Sequence, residues 1–444
     1  ITLCSPLVTD NTKLVATFAT NGEKVLVNGA EQISGYTSND FSEPVQYMVF
    51  SSNGEMNIYN VKVSGTGLPT VIINTPKGAS IPPKTADWLE GTYIKVINAD
   101  GKVDYEGKED NIRGRGNSTW GYPKKPYALK LDSKASILGM PKHKRWVLLA
   151  NWMDRTMLRN RVAFAIAEKT CLAWTPRGEF VEVILNGKHV GNYYLCEQIK
   201  VDENRVDINE LEDTDTEGDA ITGGYLMELD TYFDEVNKFK SSIMKLPYMF
   251  KEPDEDVLNE QQFAYMQNYV NRLEEVLYDD AAFALRDYAK YIDIDTYIDW
   301  WLVHEVTFNG EPNHPKSSYM HKDKGGKLKA GPVWDFDWGT FVPTTTTLRL
   351  SKALYYERLL QDPVFLARVK ERWAELKPKF EEIPAFIEAE KARLSKSADI
   401  NIKLWPISSR TNGDETLTYD AAVKRMINAY NGRLQTLDRV IGQF

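Results

Sequence analysis

The segment LNEQQFAYMQNYVNRLEEVLY, residues 258–278, marks the point at which the sequence changes from strand-like to helix-like patterns. Its apolar residues are spaced as on one face of an α-helix: Phe263, Met266, Val270, Leu273 and Leu277. Beyond it the pattern stays helical, over residues 294–308, 362–380 and 421–441. The segment therefore begins a region that we expect to be rich in helices.

The region before this segment is rich in strand patterns, from VIINTP at residues 71–76 to GGYLMELD at residues 223–230. One helix interrupts it, predicted over residues 154–170 with Asp154 as a candidate N-cap. A strand-rich region followed by a helix-rich region predicts an α+β fold with a cleft between the two.

Residues 1–66 differ in texture and form a separate predicted domain. Short β-branched runs alternate there with turn signals such as Asn-Gly, which predicts a small antiparallel β-sandwich of the immunoglobulin-like kind. The rest of the chain, residues 67–444, is the second predicted domain. It divides into a strand-rich part at about 67–250 and a helical part at 251–444.

The bulk composition is that of a folded globular protein, with 42% hydrophobic and 26% charged residues. The net charge of −9 argues against a general nucleic-acid binder, although a local basic pocket for an anionic ligand stays compatible with it.

The sequence contains no apolar run of the ~20 residues that span a bilayer. Its first residues lack the pattern of a signal peptide, so we expect a mature or trimmed form.

Three cysteines, Cys4, Cys171 and Cys196, are too few for a disulfide framework. A bridge between Cys171 and Cys196 and a pair of free buried thiols are both open interpretations. The cysteine content therefore does not decide the cellular compartment.

The segment NIRGRGNSTWGYPKKPYALKLD, residues 111–132, combines glycines with basic residues. Glycines let backbone amides approach a ligand, and Arg113, Arg115 and Lys130 carry charges suited to phosphate. In the YALKL strand pattern Lys130 points away from the apolar face and so over a cleft. The alternative is a β-hairpin with solvated basic side chains, and no P-loop signature is present.

Two further charged segments are open to structural and functional interpretations. In MDRTMLRN, residues 153–160, the charged residues Asp154, Arg155 and Arg159 suit a helix cap with surface ion pairs. In VGNYYLCEQI, residues 190–199, Glu197 ends an apolar strand pattern. It is either an edge residue entering a turn or a ligand contact at the rim of a cleft.

The acidic segment FNGEPNHPKSSYMHKDKGGKLKAGPVWDFDWG spans residues 308–339. Asn309 and Glu311 lie in a loop after a predicted helix, and an apparent hairpin then leads to Asp335 and Asp337. Such oxygen donors suit Mg²⁺ or Ca²⁺. The alternative is that the aspartates cap turns or pair with the arginine-rich segment. The D-F-D run also resembles the D-F-G turn of protein kinases, although the H-R-D signature is absent.

Other chemistries have weaker support in the sequence. The five histidines form no zinc motif, and the G-x-S-x-G signature of serine hydrolases is absent. A glycosidase, which needs two carboxylates across a sugar site, stays open with Glu311, Asp335 and Asp337 as candidates.

Six motifs in one order resemble the CotH family, the spore-coat protein H-like atypical kinases: RGRGNSTW, KKPYALKL, DRTMLRN, GNYYLCEQI, GGYLMELD and SSYMHKDKGGKLKAGPVWDFDWG. The resemblance covers about residues 70–345. It implies a bilobal, kinase-like fold that binds ATP and a divalent metal, Mg²⁺ or alternatively Mn²⁺ or Ca²⁺. It also implies phosphate transfer to a serine or threonine of a protein acceptor that the sequence does not name.

The resemblance assigns expected roles to single residues of this sequence. Lys130 would pair with the nucleotide phosphates, and Arg113 and Arg115 would help to cradle them. Glu197 would lie where the link between lobes passes the nucleotide. Asp335 would hold the metal, with Asp337 beside it.

The expected catalytic loop differs from the usual pattern of the family. Members commonly carry Asn-x-Asp after the helix, whereas this sequence reads Asn309-Gly310-Glu311. Glu311 is therefore the candidate base, one methylene longer than aspartate, and Asn309 accompanies it.

The domain layout resembles that of secreted or surface-anchored CotH proteins of Bacteroides-type bacteria, which implies a secreted, cell-surface or periplasmic location. A second function follows from the same layout. The protein would then be a surface binding or adhesion protein that recognises a surface ligand, with a weakly active or inactive kinase-like domain.

Overall fold

The strands of the chain belong to three large sheets and one two-stranded sheet in the computed structural model, which describes residues 1–5, 11–344 and 347–444. Contacts between residues divide the chain into two units. The first comprises Ile1–Ala150, Glu179–Leu195 and Arg393–Pro406; the second comprises Asn151–Gly178, Cys196–Ala392 and Ile407–Phe444. The domain boundaries expected from the sequence stay predictions.

The strands run in chain order as follows: β1 (Thr2–Ser5), β2 (Leu14–Val15), β3 (Lys24–Val27), β4 (Ala30–Glu31), β5 (Ser38–Asn39), β6 (Val45–Phe50), β7 (Met56–Gly65), β8 (Thr70–Asn74), β9 (Leu89–Ile97), β10 (Val103–Gly114), β11 (Tyr127–Ile137), β12 (Met140–Leu149), β13 (Gly178–Leu185), β14 (Lys188–Glu197), β15 (Tyr225–Leu229), β16 (Lys238–Lys240), β17 (Pro247–Glu252), β18 (Ser318–Lys322) and β19 (Leu328–Ala330). The helices are α1 (Arg159–Ala167), α2 (Glu260–Tyr278), α3 (Asp280–Ala284), α4 (Ile294–Thr307), α5 (Tyr356–Leu359), α6 (Pro363–Phe380), α7 (Ile383–Leu404) and α8 (Tyr419–Ile441).

The amino-terminal part of the first unit contains a five-stranded sheet of order β1-β7-β6-β3-β4 and the pair β2-β5. Buried apolar side chains fill its core: Val25, Val27, Phe41, Val45, Tyr47 and Val61. Strand β1 lies parallel to β7, where the sequence predicted antiparallel pairing. The immunoglobulin-like sandwich stays a prediction.

A closed barrel of order β10-β11-β12-β14-β13-β8-β9 forms the rest of the sheet structure in the first unit. Its interior holds alternate residues of neighbouring strands, such as Ile112 on β10, Leu129 and Leu131 on β11, and Trp146 on β12. Because side chains alternate along a strand, the residues between these point outward. This alternation, expected from YALKL, places Lys130 on the outer face.

The second unit combines a sheet of order β16-β17-β15-β18-β19 with most of the helices. The helix predicted from residues 258–278 is α2, which begins after Asn259. The Asn259 side chain accepts a hydrogen bond from the backbone N–H of Gln262. Strands β18 and β19 are the antiparallel hairpin expected before the two aspartates. The mixed α+β fold is therefore confirmed.

The predicted start of one helix is wrong, and one helix of the helical part was not predicted individually. Helix α1 begins at Arg159 and not at 154, because Met157 has a φ of 59° and interrupts helical geometry. Helix α7 was not expected, although its buried residues Ile383, Ile387 and Leu394 have helical spacing. Charged and small residues between them dilute the apolar signal in the sequence.

The two cysteines discussed as a pair are free thiols, Cys171 exposed and Cys196 buried. Cys171 and Cys196 therefore form no disulfide bridge. The alternative, that both are buried thiols, is confirmed for Cys196 and wrong for Cys171. Among the helices of the described residues, none is both long enough and apolar enough to cross a membrane.

Candidate active site

The turn after α4 carries the candidate base, and its position is set by a buried helix. Every residue of α4 from Thr296 to Thr307 is buried, and the helix ends where Phe308 adopts left-handed backbone geometry with a φ of 59°. Asn309 follows and is fully buried. Its side-chain oxygen accepts a hydrogen bond from the backbone N–H of Glu311, at 3.0 Å. Asn309 therefore fixes the start of the short 3₁₀ turn Glu311–Asn313.

The segment after β19 carries the candidate metal ligands. Val333, Trp334 and Phe336 are buried, whereas Asp335 is only partly buried and has a φ of 69°. Such a conformation is unusual for a residue with a side chain, and it persists where the surroundings hold it. Here the Nδ2 of Asn309 donates a hydrogen bond to the backbone oxygen of Asp335 at 3.0 Å.

Neighbouring side chains also fix this segment. The hydroxyl of Ser317 donates to Oδ2 of Asp335 at 3.2 Å, and the N–H of Phe336 donates to the side-chain oxygen of Asn160 on α1 at 2.8 Å. The loop after α4, the segment before β18 and helix α1 thus converge on residues 335 and 336. The structure brings together Asn309, Glu311, Asp335 and Asp337.

Burial, with mutual repulsion between carboxylates added to it, raises pKa values in this cluster. Burial, with the charges of Asp335 and Asp230 added to it, raises the pKa of Glu311 to about 7, although Lys316 and Arg349 act in the opposite direction. Burial also raises the pKa of Asp337 well above its usual range, and the charges of Asp335, Asp154 and Glu311 add to the effect. A cluster of this kind is stabilised by a proton or by a cation.

Asp335 and Asp337 are the candidate ligands for a divalent metal ion. Within residues 1–5, 11–344 and 347–444, no group of three or more His, Cys, Asp or Glu side chains is arranged to hold an ion by itself. Mg²⁺ in phosphate-transfer sites typically uses one or two carboxylates and takes its other oxygens from phosphates and water. Asp335 and Asp337 supply two such carboxylates.

A buried ion-pair group supports the aspartate segment. The guanidinium of Arg159 is fully buried and pairs with Asp154 and with Asp414, the latter at 2.7 Å. Its Nε donates to the backbone oxygen of Thr340 at 3.1 Å. The expectation of a surface ion pair in this segment is therefore wrong, because Arg159 and Asp154 are buried and Asp414, from a distant part of the chain, pairs with the same guanidinium.

Asn412 holds the same segment from the other side. Its side-chain oxygen accepts from the N–H of Gly339 at 2.7 Å, and its Nδ2 donates to the backbone oxygen of Asp337 at 2.9 Å. Sequence reasoning missed Asn160, Asn412 and Asp414, since no local pattern connects them with residues 335–340.

The basic candidates belong to the first unit, and two of them, Arg113 and Lys130, lie on the outer face of its barrel. Lys130 on β11 lies directly opposite Arg145 on β12, while Arg113 is on β10. The guanidinium carbons of Arg113 and Arg145 lie 4.4 Å and 4.9 Å from the centre of the Trp88 ring. Sequence reasoning missed Arg145 and Trp88, although the outward position of Arg145 follows from the buried Trp146 beside it.

Residues 112–437, more than half of the chain, match the family model described as CotH kinase protein. The chain belongs to the CotH kinase family. A search of the curated proteins found no match. The carboxylate cluster, the supporting loop of Asn412 and the basic face of the barrel all fall within the CotH match.

Two further residues that the CotH resemblance assigns to the nucleotide site, Glu197 and Arg115, form hydrogen bonds within the protein. Glu197 ends β14 fully buried, and both of its carboxylate oxygens accept hydrogen bonds from the Arg177 guanidinium, at 3.0 and 2.8 Å. Arg115 follows β10, and its backbone N–H donates to the oxygen of Pro126 at 3.3 Å. The Arg177 partner explains how a carboxylate is buried at the end of an apolar strand.

Lys124 of the basic glycine segment is a structural residue in this CotH protein. Its ammonium group is fully buried and donates to the backbone oxygen of Ala150 and to the side chain of Asn401, each at 2.9 Å. Burial lowers its pKa to about 7. Because these contacts occupy its ammonium group, Lys124 is a core residue and not a candidate for phosphate binding.

Proposed function

We propose that this CotH protein is an atypical protein kinase that uses ATP and Mg²⁺ and transfers phosphate to a serine or threonine hydroxyl of a protein. The observation that carries the proposal is the convergence of Glu311, Asp335 and Asp337 around the buried Asn309. Family membership supports the same reaction class. Mn²⁺ or Ca²⁺ would suit the same oxygen donors.

Each acidic residue has a distinct role in this proposal. Asp335 and Asp337 would hold the ion, which when bound neutralises phosphate charge during transfer. The carboxylate of Glu311 would accept the proton of the acceptor hydroxyl. A base works best with a pKa near the working pH, and the pKa of Glu311 is about 7.

The basic residues would bind the nucleotide phosphates. Lys130, Arg113 and Arg115 have this role in the proposal, with Glu197 at the link between lobes of a bilobal kinase domain. Lys130 lies on the outer face of the barrel together with Arg113 and Arg145. This grouping supports a phosphate-binding role, because several cations together suit a polyphosphate.

Thermal unfolding with and without Mg²⁺·ATP tests the proposal. A ligand that binds the native state raises Tm, because its stabilisation grows as RT ln(1 + [L]/Kd). We expect Mg²⁺·ATP to raise Tm and the Asp335→Asn variant to lose most of that increase. Asp323→Asn, in the β18–β19 turn, is the matched control and should keep it. An unchanged Tm of the wild-type protein with nucleotide and metal would contradict a kinase function.

A surface binding function is the second candidate, supported by exposed apolar residues on β7 and in the connection between β4 and β5. Ile33, Tyr36 and Ile58 are exposed, Tyr36 by 79%. In this version residues 1–66 form an immunoglobulin-like module that binds a surface ligand outside the cytosol of a Bacteroides-type bacterium. Nucleotide binding without phosphate transfer to itself or to casein-like acceptors would favour it.

A further inference from the structure

The guanidinium of Arg349 lies against the turn that carries Glu311. Its central carbon is 4.9 Å from the centre of the Phe308 ring. A Cβ atom placed on Gly310 would come within 2.0 Å of Nη2 and 2.4 Å of Nε of Arg349. The backbone of Gly310 has a φ of −106°, which any residue adopts, so only the space taken by Arg349 requires glycine here.

The backbone of Arg349 is fixed independently of its side chain. The N–H groups of Arg349 and Leu350 donate to the two carboxylate oxygens of Glu305 at 2.9 and 2.7 Å. Glu305 is fully buried on α4 and pairs with Arg433 of α8. The segment that carries Arg349 is thus attached to the same helix that leads into the Glu311 turn.

Asn313, at the end of the Glu311–Asn313 turn, is also hydrogen-bonded to Arg349. The side chain of Asn313 donates to the backbone oxygen of Arg349 at 3.1 Å. Within the described residues, Nε of Arg349 is buried and has no hydrogen-bond partner, which is unfavourable for stability. Packing on Phe308 and Gly310, and not a hydrogen bond of Nε, therefore holds this part of the guanidinium in place.

We propose that Arg349 is a positioning residue that sets the geometry of the Asn309-Gly310-Glu311 turn and so the place of the candidate base. The inference rests on the proposed kinase function for its catalytic consequence. Glutamate has one more rotatable bond than aspartate, so its carboxylate has more freedom to leave a productive position. A guanidinium packed across the preceding residue limits that freedom.

Hydrogen exchange tests the positioning without requiring catalysis. Gly310→Ala displaces the guanidinium and keeps its charge, while Arg349→Ala removes it. We expect amide exchange in residues 308–314 to become about tenfold faster in both variants, with α2 unchanged. Arg349→Lys should restore part of the protection. Arg272→Ala, on the exposed face of α2, is the control and should leave residues 308–314 unchanged. Unchanged exchange in Arg349→Ala would overturn the proposal.

Kinetics give a second readout. Misplacement of a base by about 1 Å costs on the order of 100-fold in rate, so kcat should fall by about that factor while KM for ATP stays within about twofold. The double variant should be no worse than Arg349→Ala, because both changes act on one contact; additive losses would overturn the proposal. If the wild-type protein transfers no phosphate, the kinase function fails and the exchange result alone decides the role of Arg349.

Discussion

The side chain of Asn309 donates a 3.0 Å hydrogen bond to the backbone oxygen of Asp335 and accepts one from the N–H of Glu311. One buried amide thereby joins the loop of the candidate base to the segment of the candidate metal ligand. The relative position of Glu311 and Asp335 is therefore linked through this one side chain.

Replacement of Asn309 by alanine should uncouple the two loops. It leaves a partly buried N–H and a partly buried C=O without their partner, at a cost of up to about 1–3 kcal/mol for each unsatisfied group. We expect a lower free energy of unfolding in urea and a smaller Tm increase with Mg²⁺·ATP. The exposed Asn204 provides the control variant Asn204→Ala, and equal effects of the two substitutions would contradict the coupling.

Replacement of Glu311 by glutamine should separate catalysis from binding. Glutamine keeps the size of the side chain but cannot accept the proton of an acceptor hydroxyl at neutral pH. We expect phosphate transfer to be abolished and the affinity for Mg²⁺·ATP to stay nearly intact, as measured by calorimetry and by labelled ATP. Unchanged turnover would mean that another residue is the base.

Stability should fall in acid because of His304. This side chain is fully buried beside Trp300 and Phe336, and burial lowers its pKa to about 3. Between pH 3 and pH 6.5 the unfolded chain binds a proton at His304 that the folded chain does not. The contribution of neutral His304 is therefore complete above about pH 6.5 and is lost as pH falls, by about 3 kcal/mol at pH 4.5.

Urea unfolding at pH 7 and pH 4.5 measures this effect. His304→Gln keeps a group that can bond to the backbone oxygen of Trp300, with which His304 shares a 2.8 Å hydrogen bond, but cannot titrate. The loss between the two pH values should be smaller in that variant. An equal loss would assign the acid sensitivity to other groups.

Arg145 should contribute to nucleotide binding, because it lies opposite Lys130 and against Trp88 on the outer face of the barrel. A hydrogen bond to a charged group is worth about 1.5–3 kcal/mol, so Arg145→Ala should weaken ATP binding by about tenfold or more. Lys144→Ala, at the exposed neighbouring position of β12, should bind as the wild-type protein does. Equal affinity of the two variants would exclude Arg145 from the site.

The sequence was most informative where a single element carries the pattern. The spacing in residues 258–278 predicted α2, and the YALKL alternation predicted that Lys130 points outward. An apparent hairpin was also expected before Asp335, and β18 and β19 form it. Periodicity of this kind is local, because a helix or a strand repeats its geometry every few residues.

The supports of the candidate site came from the tertiary structure. Along the chain, Asn412 lies 73 residues from Gly339, Asn160 lies 176 residues from Phe336 and Asp414 lies 255 residues from Arg159. The contact of Arg349 with Gly310 likewise joins two segments that are separated in the sequence. The sequence alone determined the strand-rich and helix-rich regions, the CotH resemblance and the candidate acids. Only folding decided which buried amides and ion pairs hold those acids together, because such contacts depend on packing between distant segments and leave no periodic trace in the chain.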